Sequence, residues 1–220
     1  IRSASLLDHM DWTGFNEDEK KSWLSKYQKL SEASGNLLMA YSADNLFEEF
    51  THAVKGLSIL PDDASLLRTM EIIEKKLYAN AVKLIVSGNY QDASSMAGAM
   101  FKIYPKSATA WMINSIALHA SGDLKNALAA IQNAAKLAPN NPDVRFQLGF
   151  ILSGNKQFEK AMLEYKECLR LKPDQPAILE RLAYISIMDK KFSFYNPSEA
   201  VRFAERACEL SGYKNIQNLD

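Results

Sequence analysis

The chain has 220 residues, 47% of them hydrophobic, which is enough to bury a continuous core, and its 26 Lys and Arg residues balance 26 Asp and Glu residues. A formal net charge of zero removes the usual electrostatic argument for nucleic acid or an anionic membrane as the main partner. No apolar run approaches the roughly 18 residues that span a bilayer. Because the sequence begins with Ile1 rather than Met, we expect a processed protein or a piece excised from a longer one.

The N-terminal third is predicted to be helical after a short irregular arm, which comprises residues 1–15. Asn16 and the three acidic residues after it predict a helix start, because Asn caps free N–H groups and acids favour the positive end of the helix dipole. Apolar residues then recur at steps of four and three from Trp23 to Tyr41. This stripe predicts a helix of about 25 residues whose apolar side packs on the next helices. Residues 16–73 are therefore predicted to be an N-terminal helical extension.

The remainder of the chain repeats itself every 34 residues, since 139 − 105 = 34 and 173 − 139 = 34 for three successive prolines. Three sets of residues keep this step: Pro105, Pro139 and Pro173; Ala93, Ala127 and Ala161; Tyr90, Leu124 and Phe158. Small residues stand midway along the first helix of each predicted unit, at Ala81, Ser115 and Gly149. Each proline ends the second helix, since it cannot donate the helical hydrogen bond. The period predicts a solenoid of two-helix repeats.

With this period and these residues, the sequence resembles the tetratricopeptide repeat (TPR) family. The resemblance implies an all-α fold, a right-handed superhelical solenoid of antiparallel helix pairs. It places four repeats at about 74–107, 108–141, 142–175 and 176–212, preceded by a degenerate repeat whose second helix is 44–60.

The last repeat is interrupted. Its small residue is Ala200, five positions after 161 + 34 = 195, and the extra residues fall in the turn at 190–197. This C-terminal part resembles the closing repeats of bacterial TPR proteins. Residues 213–220 are predicted to be the start of a truncated next helix.

No residue pattern predicts catalysis or a cofactor. The sequence has no Gly-rich phosphate loop, no Gly-x-Ser-x-Gly elbow and no His-Glu-x-x-His pair. His9, His52 and His119 lie at no metal-ligand spacing from a Cys or an acidic pair, which favours packed or surface imidazoles. Cys168 and Cys208 are interpreted as two small buried thiols, with a redox or metal pair as the alternative. We therefore expect a non-enzymatic protein without a cofactor or a bound metal.

The predicted binding site is the set of positions that face the inner, concave side of a TPR superhelix. By the 34-residue period these are Tyr78, Val82, Ile85, Met112, Ile116, His119, Phe146, Phe150 and Tyr184, with Ser153, Glu180 and Ile187 beside them. TPR modules that clamp a terminal carboxylate carry Lys, Arg and Asn at such places, and this sequence departs from that pattern. Its apolar, aromatic-rich stripe predicts a groove for an apolar or amphipathic segment of a partner protein.

The groove has alternative occupants within the chain itself: residues 1–15, the helix that begins near Asn16, or a further C-terminal helix. Self-association is another.

The function predicted from these observations is a protein–protein interaction module, a scaffold or adaptor of the TPR type. Two alternatives stay open: a soluble TPR arm of a larger bacterial membrane-bound enzyme, such as a glycosyltransferase, and a self-assembling structural subunit. The sequence leaves the compartment open between cytoplasm and periplasm, including attachment to a longer membrane-anchored protein. No nucleic-acid partner is expected.

Overall fold

A computed structural model describes residues 13–14, 16–188, 190 and 192–212. These described residues are 80% helical, with ten helices and no strands. The helices are α1 Glu17–Ser42, α2 Leu46–Ile59, α3 Ala64–Val86, α4 Tyr90–Ile103, α5 Ala108–Ala120, α6 Leu124–Leu137, α7 Pro142–Gly154, α8 Phe158–Leu171, α9 Pro176–Ile187 and α10 Pro197–Ser211. The predicted all-α fold of TPR-type helix pairs is confirmed. The predicted arm, apart from Thr13 and Gly14, and the predicted helix start at 213–220 lie outside the described residues.

The chain divides into two compact units, Ile1–Asn80 and Ala81–Asp220, and the division falls within α3. Unit 1 holds α1, α2 and most of α3. Unit 2 holds the end of α3 and all seven later helices. The boundaries of the individual repeats stay a prediction.

Helix α1 begins where the sequence predicts. The Asn16 side chain accepts a hydrogen bond from the Glu19 backbone N–H at 2.9 Å, and the Asn16 N–H donates to Glu19 Oε2 at 2.8 Å. This reciprocal capping box satisfies two donors that the first helical turn leaves free.

The apolar stripe of α1 is not the face that it buries. The helix packs against α2, and its buried residues are Ala33 and Ala40. Trp23 is exposed and Tyr41 is 69% exposed, so the prediction that this stripe is core packing is wrong for them. The physical reason is that alanines permit close helix contact and leave the large side chains flanking it. Tyr41 Oη instead lies 3.0 Å from Thr69 Oγ1 on α3.

In unit 2, each helix from α4 to α9 packs against the next one along the chain. The periodic small residues are buried: Ala93, Ala127 and Ala161 have no exposed surface, and neither do Ala81, at the end of α3, and Ser115. Helices α5 and α7, the first helices of successive pairs, also contact each other. The first helices therefore form a continuous layer at this point.

In the first three pairs of the periodic region, the turn between the two helices contains one residue with left-handed backbone angles. Gly88 and Gly122 take this conformation in the first two pairs, with φ of 80° and 89°, and Lys156 takes it in the third, with φ of 60°. The neighbouring Asn155 does not take this conformation, although Asn accepts left-handed backbone angles more readily than Lys. Asn155 has φ of −83°, and its Nδ2 donates to the Ile151 carbonyl oxygen at 2.9 Å.

The extra residues between α9 and α10 pack back on the preceding pair. The Phe192 ring lies 5.7 Å from Phe158 at the start of α8 and 4.8 Å from Phe194, centroid to centroid. Ser193 Oγ donates to Glu159 Oε1 at 2.8 Å. Helix α10 then begins at Pro197, with the Asn196 side chain accepting from the Glu199 N–H at 3.0 Å. Through these aromatic and hydrogen-bond contacts, the longer turn of the fourth pair packs against the third pair.

Candidate functional site

The predicted groove residues belong to both units. Tyr78 lies in unit 1, on α3, and is half-buried. Val82 and Ile85, at the end of α3 in unit 2, are also half-buried. On α5, Ile116 and His119 are half-buried, whereas Met112 has 6% of its surface exposed. A partner segment would therefore reach little of Met112.

Side chains from three successive first helices form a row in unit 2. The His119 ring on α5 lies 5.1 Å from the Phe150 ring on α7, with the two planes tilted by 53°. The guanidinium carbon of Arg181 on α9 lies 5.3 Å from the centroid of the same Phe150 ring. These distances fit an aromatic pair and a cation–π contact. We call this set the His119–Phe150–Arg181 row.

Two members of this row, His119 and Phe150, were predicted from the sequence, whereas Arg181 was not. The three residues are separated by 150 − 119 = 31 and 181 − 150 = 31 positions, three fewer than the repeat length of 34. Each step along the row therefore moves back by about one helical turn relative to the repeat register. Arg181 also precedes Tyr184 by three positions, which puts both on one helix face. This three-residue spacing is the signal in the sequence that could have identified Arg181.

The His119 imidazole is partly desolvated. Its partial burial lowers the pKa of His119 below the ordinary value of 6.5. A Cβ atom placed on Gly154 would lie 2.8 Å from His119 Nε2, so the end of α7 approaches this ring closely. The His119 imidazole in this row is therefore neutral near neutral pH.

Beneath the row, Tyr165 on α8 is fully buried. Its ring lies 6.0 Å from that of Phe146, a predicted groove residue that is half-buried. Among the described residues its hydroxyl has no hydrogen-bond partner. Burial raises the pKa of Tyr165 to about 12, and the positive charge of Arg181 acts in the opposite direction. Phe146 thus packs against the buried ring of Tyr165, and Tyr165 stays a neutral phenol.

Helix α9 is apolar on two faces. One face is buried and includes Ile178, Leu179, Leu182 and Ile185. The other carries Tyr184, 59% exposed, and Ile187, 53% exposed, with exposed Met188 following at the C-cap. We call Tyr184, Ile187 and Met188 the α9 stripe. Tyr184 and Ile187 are exposed, whereas the other apolar residues of the predicted groove in unit 2 are half-buried or buried.

The described residues offer little for catalysis. They contain no group of three His, Cys, Asp or Glu side chains that could hold a metal ion. Cys168 Sγ donates to the Pro142 carbonyl oxygen at 3.1 Å, and burial raises its pKa, which disfavours a reactive thiolate. A cavity of about 130 Å³ in unit 1, lined by α1 residues such as Leu30 and Leu37, is smaller than typical small-molecule sites. Within the described helices we found none with the length and apolarity to cross a bilayer.

Comparisons with known proteins identify the repeats and the fold. Two family models, both described as tetratricopeptide repeat, match residues 78–142 and 118–183. No curated protein sequence matches the chain.

Several solved structures are similar to this chain. MamA from Desulfovibrio magneticus is 16% identical with a TM-score of 0.53, and the match covers 85% of this chain and 97% of that one. A thermophilic TPR protein from Thermus thermophilus is 20% identical with a TM-score of 0.54, over 84% and 94% of the two chains. An O-GlcNAc transferase from Thermobaculum terrenum is 18% identical with a TM-score of 0.55, over 62% of this chain and 26% of the transferase. At these identities the likeness concerns the fold alone.

Proposed function

This chain belongs to the tetratricopeptide repeat family through residues 78–183 and is a protein-interaction scaffold, and we propose that it holds an apolar or amphipathic segment of a partner protein. The segment lies against the first helices of unit 2. Its contacts are the α9 stripe, the His119–Phe150–Arg181 row, and the half-buried Phe146 and Ile116 beside them.

The observation that carries this proposal is the exposure of the α9 stripe. A helix that is apolar on two faces is normally covered on both. More than half of the Tyr184 and Ile187 surface is in water, and exposed apolar surface of this kind usually marks an interaction site. A partner helix or extended segment would remove it from water without a large change of the packed helices beneath.

No catalytic function is proposed, in keeping with the generally non-catalytic character of the TPR fold. The alternative of an arm of a larger glycosyltransferase is supported by fold likeness alone, because the match covers 26% of that transferase at 18% identity. Self-assembly would use the same α9 stripe, with a second copy of this chain as its occupant.

The test begins with a display library of random 16-residue peptides that are selected on the full chain. Captured peptides are synthesised with amidated C-termini and titrated against the wild type and two variants, Phe150→Ala and Tyr184→Ala. We expect each variant to weaken binding roughly thirtyfold, because truncation of an aromatic anchor costs about 2 kcal/mol. Phe146→Ala should weaken binding too, but its contact with Tyr165 requires that its folding be checked by circular dichroism.

The matched control is Lys125→Ala, an exposed residue on α6, the second helix of its pair. It should leave peptide affinity unchanged. Glu159 is a poorer control, because its carboxylate accepts the Ser193 hydrogen bond. Equal affinity of the wild type and both aromatic variants would contradict the proposal. Self-assembly would replace the proposed function if the solution mass of the wild type doubled with increasing concentration and the Tyr184→Ala variant stayed monomeric.

A further inference from the structure

From the His119–Phe150–Arg181 row we infer that Arg181 recognises an acidic side chain, Asp or Glu, within the apolar segment that the scaffold holds. This inference rests on the proposed function and specifies the chemistry of the partner. It concerns an internal side-chain carboxylate of a protein segment, not the free carboxylate at a chain terminus.

Arg181 differs from three of the four other arginines of unit 2 in what it contacts. Arg145 pairs with Glu164 at 2.7 Å, Arg170 with Glu167 at 2.8 Å, and Arg206 with Asp174 at 2.8 Å. Within the described part of the chain, Arg181 forms no such ion pair and lies over the face of Phe150. An aromatic face attracts the cation but supplies no oxygen to its N–H donors. Those donors are still available to a ligand.

The neighbours of Arg181 make this availability significant. Tyr184 lies three positions and Met188 seven positions after Arg181, which places both near its face of α9, so the exposed cation sits at the edge of the exposed apolar α9 stripe. Glu180 lies four positions before Tyr184 and seven before Ile187, so it flanks the Ile187 side of the stripe, whereas Arg181 flanks its Met188 side. A partner that covers the α9 stripe must also take water away from the guanidinium.

Desolvation is what selects an acid. A guanidinium removed from water without a compensating charge is strongly disfavoured. A carboxylate can accept two of its parallel N–H bonds and neutralise the charge, whereas a side-chain amide accepts a bond without neutralising it. The Phe150 contact restricts the arginine before binding, which reduces the entropy lost when the pair forms.

The experiment uses the full chain and the amidated peptides from the selection described above, so that no terminal carboxylate is present. Each acidic residue of a captured peptide is replaced in turn by its amide and by lysine. These peptides are titrated against the wild type, Arg181→Gln, Arg181→Glu and a matched control, Arg202→Glu. Arg202 is an exposed arginine on α10, so its variant makes the same charge change away from the row.

We expect one acidic position whose amide form binds the wild type about tenfold more weakly. That difference should vanish in Arg181→Gln, which measures the coupling of the two side chains directly. The lysine peptide should bind Arg181→Glu more tightly than it binds the wild type. Arg202→Glu should keep the preference of the wild type for the acid.

Two outcomes overturn the inference in different ways. If acid and amide peptides bind the wild type equally, or if the acid preference persists in Arg181→Glu, the charge recognition is wrong, although peptides that require Phe150 and Tyr184 would still support the proposed function. If no captured peptide depends on Phe150 or Tyr184, the proposed function fails and the inference fails with it.

Discussion

Gly149 on α7 determines how closely this helix approaches α8. A Cβ atom at this position would lie 2.6 Å from Cε1 and 2.7 Å from Cδ1 of Tyr165, closer than real Cβ contacts come. The Tyr165 ring is fully buried and flanked by Phe146, so it has little room to move. The glycine is required by this contact rather than by its backbone angles.

We therefore expect Gly149→Ala to lower the free energy of unfolding by about 1–3 kcal/mol, the usual cost of overpacking. Gly98→Ala is the matched control, because Gly98 lies inside α4 with open space around it. That substitution should raise stability by about 0.5–1 kcal/mol, since alanine favours a helix over glycine. Urea unfolding of the three proteins measures both changes. Shifts of the same sign would contradict the contact at Gly149.

His119 predicts a pH dependence of stability. Partial burial lowers its pKa in the folded chain below the ordinary 6.5, so the unfolded chain binds the proton more readily. The contribution of neutral His119 to the free energy of unfolding is complete above about pH 6.5. It is lost as the pH falls through 6.5 and then through the lower pKa of the folded chain. Between about pH 7.5 and pH 5, His119→Gln should lose less stability than the wild type. Urea midpoints at both pH values give this difference. An identical loss in the two proteins would exclude a role for His119.

At the scale of the helix, α1 and α5 differ in how much of each is buried. Helix α1 has 26 residues but buries Ala33 and Ala40, whereas α5 buries five of its 13 residues. A helix with few buried contacts opens at low free energy, because most helical stability in proteins comes from packing. The local stability of these two helices should therefore be unequal.

Hydrogen exchange followed by mass spectrometry should find the amides of α1 exchanging faster than those of α5. Gly35→Ala provides an internal check, because Gly35 lies in α1 with nothing near its Cβ position. The alanine should slow exchange in α1, by an amount equivalent to about 0.5–1 kcal/mol, and leave α5 unchanged. Equal protection of α1 and α5 in the wild type would show that contacts other than the two alanines stabilise α1.

At the scale of the whole molecule, packing follows the order of the chain. In unit 2 each helix contacts the next. The stability of unit 2 is therefore a sum of the stabilities of its helix pairs and of the contacts between neighbouring pairs. A binding surface on such a fold is necessarily assembled from residues far apart in sequence. His119, Phe150 and Arg181 come from three different pairs and meet because successive first helices stack side by side.

The sequence by itself determined the helix pairs and their contacts through small residues. The 34-residue step of prolines and alanines is a local pattern, because each proline ends the helix in which it lies and each alanine or glycine admits a neighbour. Ala93, Ala127 and Ala161 are accordingly all fully buried.

Only the tertiary structure decided which inner positions are accessible and which side chains meet. A fixed period assigns equivalent positions in every repeat, so it gave Ile116 and Tyr184 the same status, although Ile116 is half-buried and Tyr184 is 59% exposed. The 34-residue period also could not identify Arg181, because each step of the row from one first helix to the next is displaced by about one helical turn from that period. Burial and the relative inclination of packed helices depend on contacts between distant residues, and these contacts leave no period in the sequence.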